Sequence, residues 1–245
     1  MKINSINFKG ILSCSFFLML ICLPFSDPAL SYEFYEWEQG AEGYELALMS
    51  AEENEKPLIL YFQIEDSAWC KRMNENYLAT YEVEVFFSEI PKVVINPDKG
   101  EPEKALTAKF GVEQFPALFI TIPSFKTKPR RVHPFSKDHN MTVDEFINEI
   151  KQIIVSHYNK KAYSYFEKKE YDKVFEYFEK ALKYDPKDAY SYYAMGIIYH
   201  SIAADKNDPE FLKKAEESFL KALEIDPKHK ESKVELEKVR KAMMK

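Results

Sequence analysis

The chain has 245 residues, of which 46% are apolar and 15% aromatic, with only 6 Gly and a net charge of -6. This is material for one large domain or two modest ones, and it excludes disorder over most of the length. The acidic balance disfavours a general nucleic-acid role, which needs a basic footprint. The one basic run, "KTKPRR" (Lys126 to Arg131), reads as a solvated hairpin turn around its proline, not as a phosphate-binding patch.

Lys2 and Lys9 precede "ILSCSFFLMLICLPF", an apolar run of 15 residues ending at Phe25. A bilayer span takes about 20 residues, so the run suits a signal-peptide core. Small residues at Ala29 and Ser31 place cleavage after Ser31. Residues 1–31 are therefore expected to be a signal peptide and the remainder to be exported, periplasmic or otherwise extracytoplasmic. The alternative is an uncleaved anchor, and that segment is the one expected membrane contact. Cleavage removes Cys14 and Cys22 and leaves Cys70 as the single cysteine, unable to form an internal disulfide. A lone thiol in an oxidising compartment is either buried and inert or available for an intermolecular bond.

The segment 32–42, "YEFYEWEQG" and onward, reads as an aromatic, acidic lead-in. "GYELALMSAEENEK" sets Leu46, Ala47, Met49 (or Leu48) and Ala51 at helical spacing before Pro57. "LILYFQI" is the near-continuous apolar run of a strand covered on both faces. "DSAWCKRM" then opens a helix, with Met73, Tyr77 and Leu78 on one side. "KVVINPDKG" is a second strand closed by turn residues, and "PEKALTAKFGV" a short helix ending at Gly111. "PALFITI" and "RRVHPF" are two strands joined by the basic turn. "TVDEFINEIKQIIVSHY" is an amphipathic helix with Thr142 and Glu145 as a capping box. Asn140-Met141-Thr142 is formally a glycosylation acceptor, but its threonine has that capping role. The order of elements predicts a small α/β domain over 43–155.

From 156 onward no strand signal remains and the sequence repeats itself. "YFEKALKYDPKDA" (from Tyr177) aligns with "SFLKALEIDPKHK" (from Ser218), pairing Phe178, Ala181 and Pro186 with Phe219, Ala222 and Pro227. Ala162 and Tyr165 stand where a helix–turn–helix repeat of about 34 residues wants a small residue and then an aromatic. Gly196 and Tyr199 do the same in the second copy. The excess length of that copy is assigned to a loop, "ADKNDPE" (Ala204 to Glu210). On these residues the region resembles the tetratricopeptide-repeat family, with Val174 departing where the family prefers Ala. The resemblance implies an all-α domain over 156–245, with repeats at about 156–188 and 189–229 and a closing helix at 230–245. Val234, Val239 and Met243 are expected to face back from that helix. No Gly or Pro lies between Met141 and Asp185, so the joint between the domains is expected to be rigid.

The turn at Cys70 and the loop "KFGVEQFPALFI" together resemble the thioredoxin-like family. The resemblance implies strand, Cys-x-x-Cys and helix at "LILYFQIEDSAWCKRM", with Pro116 after Phe115 as the cis-proline facing the cysteines. Here Ser67 replaces the attacking cysteine and Cys70 keeps the resolving position. Tyr61 replaces an acid that many thioredoxins bury for proton transfer. A serine hydroxyl lacks a thiol's acidity and forms no disulfide, whereas Ser67 is well suited to cap the Cys70 helix. Glu65 and Asp66 beside the turn oppose a thiolate at Cys70. Dithiol turnover is therefore excluded, and any catalysis at Cys70 and Ser67 is limited to monothiol chemistry. Cys70 either reacts singly or packs as a small buried residue. Trp69 either contacts clients, with Phe115 and Pro116 pairing with an extended peptide, or covers the domain edge.

The five histidines show no metal-ligand spacing and no Gly-rich phosphate loop occurs, so no metal and no cofactor are expected. In the repeats, the resemblance places Tyr163, Phe166, Tyr190, Tyr193, Ile197 and His200 on the concave face. These residues either hold an apolar peptide or partner helix, or pack within the chain. The fusion resembles chaperedoxin-type proteins in architecture. That family is cytoplasmic with more repeats, so its transfer partners do not carry over. The sequence thus reads as an exported adaptor or chaperone-like holdase for protein or peptide clients, with dithiol activity lost. The alternative is a single-thiol redox protein that forms mixed disulfides through Cys70.

Overall fold

The structure is a computed structural model that describes residues 34, 36–135 and 139–244. The expected signal peptide lies outside the described residues. A five-stranded sheet has the order β1 (Glu38–Gln39), β3 (Lys92–Ile95), β2 (Leu58–Phe62), β4 (Ala117–Thr121), β5 (Arg130–Val132). The first three are mutually parallel, and β4 and β5 each run antiparallel to the strand before them in that order. All five residues of β2 are buried, because its two faces meet different layers. Leu58, Leu60 and Phe62 join Tyr44, Ala47 and Ala51 of α1 (Gly40–Glu53) and Leu106 of α4 (Glu101–Lys109) in one core. Ile59 and Tyr61 turn the other way, toward α2 (Ala68–Met73), α3 (Tyr81–Phe87) and α5 (Val143–Phe166). This mixed sheet, covered by helices on both faces and with a cis-proline ahead of β4, is a thioredoxin-like fold.

Three local expectations are corrected. Residues 34–42 are not a mere lead-in: Trp37 is buried in the core, β1 pairs with β3, and α1 begins at Gly40. On α1 the helical period holds and Ala47 and Ala51 point inward as expected, joined by Tyr44, but Leu46 and Met49 are 52% and 53% exposed. Between Leu78 and Lys92 the extra helix α3 buries Val83 and Phe87, an element absent from the expected order. Its sequence, "YEVEVFF", alternates as a strand does, which hides its helical period.

The remaining helices are α6 (Tyr171–Tyr184), α7 (Ala189–Lys206), α8 (Glu210–Ile225) and α9 (Lys230–Met243). The extra length of the second repeat goes mostly into α7, 18 residues long, and not into a loop. That helix ends at Asn207 in the left-handed region (φ 51°). On α9, Leu236 and Val239 face inward, whereas Val234 and Met243 are exposed, contrary to expectation. Gly196 on α7 is required by contact: a Cβ there would lie 2.6 Å from the ring of fully buried Phe219.

Helix α5 carries the capping box at Thr142 and Glu145 and runs unbroken through the expected domain boundary at 155/156. Its first half contributes Phe146, Ile150 and Ile154 to the sheet's core, and Ala162 packs with Val174, Phe178 and Ala181 of the repeats. Polar ties reinforce the joint at Glu55, just after α1. The Tyr158 hydroxyl donates to the Glu55 carbonyl at 2.7 Å, and the Tyr177 hydroxyl and Lys180 Nζ donate to its carboxylate at 2.8 and 2.6 Å. Lys183 pairs with Glu89 at 2.7 Å.

Two outcomes are expected. Gly196→Ala gains helix propensity of about 1 kcal/mol but forces a methyl into the Phe219 ring, so a net loss of about 1–2 kcal/mol should appear in urea denaturation. Burial pushes the Glu55 carboxyl up, but its hydrogen bonds from Lys180 and Tyr177 outweigh that and hold it below its ordinary 4.5. Its contribution is therefore complete above 4.5 and fades as acid takes the pH down through the folded value. Glu55→Gln should cost less than about 1 kcal/mol at neutral pH, because the pair is partly exposed. Stability curves of the two proteins should converge below that range.

Candidate functional site

The turn after β2 is shaped by its residues. Asp66 takes the left-handed region (φ 58°), and extended Ser67 caps α2, its Oγ accepting the Cys70 N–H at 3.3 Å. Such a cap contributes about 1 kcal/mol to its helix. Cys70 itself is 2% exposed and is the sole cysteine among the described residues. Glu65 does not face the thiol as a free charge; it pairs with Lys99. Tyr61 is fully buried and its hydroxyl donates to Asn74 Oδ1 at 2.7 Å, while Asn74 Nδ2 donates to Gln63 at 3.1 Å. A neutral hydrogen-bonded pair thus stands where the resemblance implied a proton-transferring acid.

Across from the turn, the Phe115–Pro116 bond is cis. Between them lies a cleft of about 690 Å³ whose walls include Trp69, Phe115, Pro116, Leu118, Arg131 and Phe135. The structure brings Trp69, Phe115 and Pro116 to this one cleft, but neither Ser67 nor Cys70 lines it. Trp69 is 53% exposed and its ring lies 5.5 Å from Phe135. The Arg72 guanidinium sits 5.6 Å from the Trp69 ring centre and 5.1 Å from that of Phe135. Arg131 Nη2 donates to the carbonyls of Gln114 and Pro116 at 3.0 and 3.1 Å, holding both sides of Phe115. Arg72, Arg131 and Phe135 were not singled out in the sequence. Arg131 belongs to the run read as a solvated turn, and only its pairing opposite Phe119 in the β4–β5 ladder would have placed it here.

The six expected groove residues do not form one surface. Tyr163 and Tyr190 line a smaller cavity of about 290 Å³ with Asn159, Asp185 and Asp188. Burial and a hydrogen bond with Tyr190 push the Tyr163 phenol well above its ordinary range. Phe166 packs on the main core near Tyr171. Tyr193 and Ile197 pack against the cluster of Phe219, Leu236 and Val239, with the Tyr193 ring 5.0 Å from His229. His200 is half-buried on α7. Asn159 is 4% exposed and engaged: it accepts from Ser191 Oγ at 3.0 Å. Among the described residues no group of three or more His, Cys, Asp or Glu is placed to hold a metal. No described helix is long and apolar enough to cross a membrane.

Three family models, each of a tetratricopeptide repeat, match residues 158–188, 177–210 and 212–229. The helical region is a tetratricopeptide-repeat region. Such repeats serve protein–protein interaction. Together with the sheet domain they give a thioredoxin-like fold followed by tetratricopeptide repeats. Among solved structures, the chain is similar to a thioredoxin from Thermus thermophilus, with 19% identity over 49% of this chain and 89% of that one and a TM-score of 0.40. It is also similar to DsbH oxidoreductase (19% identity, 51% and 87% covered, TM-score 0.38). The third is the reduced C-terminal domain of Neisseria meningitidis DsbD (22% identity, 45% and 94% covered, TM-score 0.36). No curated protein sequence matches the chain.

With Cys14 and Cys22 replaced by serine, iodoacetamide should modify Cys70 slowly in the native protein and rapidly in denaturant. Equal rates in the two states would mean that the thiol is not enclosed.

Proposed function

We propose that the chain is an exported protein-binding adaptor or chaperone-like holdase that uses the Trp69–Pro116 cleft for peptide or unfolded-protein clients and has no dithiol activity. One observation carries the reading: the cleft is open and aromatic, while the one described cysteine is buried and does not line it. Binding surface and reactive atom, adjoining in a working Cys-x-x-Cys turn, are here separated. A half-exposed tryptophan beside a cis-proline loop suits an extended apolar segment, which gains contact area from Trp69, Phe115 and Phe135. The repeats add a second route to protein contacts, with Tyr163 and Tyr190 at the small cavity. Burial of Cys70 weighs against the mixed-disulfide alternative, because thiol exchange requires access. Export rests on the apolar run at 11–25, its lysine flank and the small residues at Ala29 and Ser31.

The protein is expected to show no dithiothreitol-driven insulin reduction above background. Trp69→Ala should weaken suppression of aggregation of a reduced, unfolding client severalfold, with the melting temperature unchanged. Insulin turnover by the unmodified chain would count decisively against the reading, as would Trp69→Ala with full suppression.

A further inference from the structure

The cleft is apolar over most of its wall, yet one guanidinium lines it and a second lies over two of its aromatic rings. Arg131 lines it directly. Its Nη2 is committed to the two backbone carbonyls, while its Nε is buried with no acceptor. Burial pushes the Arg131 guanidinium down from its ordinary value, and no carboxylate among the described residues offsets this. Arg72 lies over Trp69 and Phe135, and among the described residues it has no ion-pair partner. Some other cations do find carboxylates: Lys99 has Glu65, Lys180 has Glu55 and Arg240 has Glu216. The chain carries a net charge of -6, so two guanidiniums without an ion pair among the described residues, both at the rings of one cleft, are a local departure from its overall acidity.

We propose that the cleft takes an extended apolar peptide segment bearing one carboxylate, an Asp or Glu side chain seated toward Arg131 and Arg72. The inference rests on the client-cleft reading above and adds to it the chemistry of the ligand. A desolvated guanidinium without a counter-charge is costly, and an entering carboxylate offsets that cost. In a wall of low polarity the attraction is several-fold stronger than in water. The planar guanidinium suits a carboxylate better than an ammonium would. Trp69, Phe115 and Phe135 supply the apolar contact that a charge alone does not. Glu113 is the one carboxylate among the described lining residues, and its repulsion limits the ligand to a single acid instead of an acidic run.

The test uses the full chain and three fluorescent peptides, identical apolar segments with a central Glu, Gln or Lys, followed by anisotropy. The Glu peptide should bind about tenfold more tightly than the Gln peptide, with the Lys peptide weakest. The Glu preference should shrink as salt is raised. It should vanish in Arg131→Gln and fall severalfold in Arg72→Gln. The second variant matters because Arg131 also holds the proline loop, whereas Arg72 has no backbone partner there. Equal binding of the Glu and Gln peptides to the unmodified chain, or a preference untouched in both variants, overturns the carboxylate assignment and leaves the client cleft standing. Binding of none of the three, or binding indifferent to Trp69→Ala, overturns the client cleft itself.

Discussion

The molecule depends on one helix with two obligations. The first half of α5 closes a face of the sheet through Phe146, Ile150 and Ile154, and its second half opens the first repeat through Ala162. A helix cannot bend sharply without a proline, an inserted group or a bulge, and α5 contains no Pro or Gly. The sheet domain and the first repeat therefore share one core, which continues to Ala194 and Ile198 of α7. Glu55, bonded to both Tyr177 and Lys180, fixes the far side of the same joint. What would otherwise be two domains on a tether is a single framework that sets the cleft and the repeats in a constant relation.

The cysteine turn shows how a helix start is satisfied without a thiol. A helix N-terminus needs an acceptor for its free N–H groups, and Ser67 supplies it as well as any residue can. Cys70, the thiol present in the turn, is enclosed. The interior position taken by Tyr61 follows the same logic: its hydroxyl meets Asn74 and stays neutral, so the core carries no ionisable carboxyl there. The loop at Pro116 keeps its geometry because Arg131 holds the carbonyls on either side of Phe115. The cleft's proline loop is thus held by groups separate from the thiol.

Much of this was legible from the chain. The run "LILYFQI" marks a strand buried on both faces, and the shared "KAL" and "DPK" spacing marks the repeats. Thr142 and Glu145 mark the start of α5, and Ser67 marks the start of α2. Each of these signals is local, set by neighbours within a few residues. Failures came where local signals were weak or ambiguous. A two-residue edge strand has no alternation to detect, "YEVEVFF" alternates within a helix, and Leu46 and Met49 looked inward although smaller alanines pack there. Of the tyrosines expected to line one groove, Tyr163 and Tyr190 meet at a small cavity, while Tyr193 packs among side chains of α8 and α9 and beside His229, which no spacing reveals.

By itself, the sequence determined the thioredoxin-like and repeat elements, the serine in the first position of the turn and the unbroken passage from sheet to repeats. These depend on residue type and on periodicity, which are properties of short segments. Tertiary structure alone decided that Cys70 is enclosed while Trp69 is exposed, although the two are adjacent in the chain. It also decided that Arg131, 59 positions beyond Arg72, shares a cleft region with it. Burial and charge environment are set by what packs against a side chain from distant segments, and that information exists only once the chain has closed on itself.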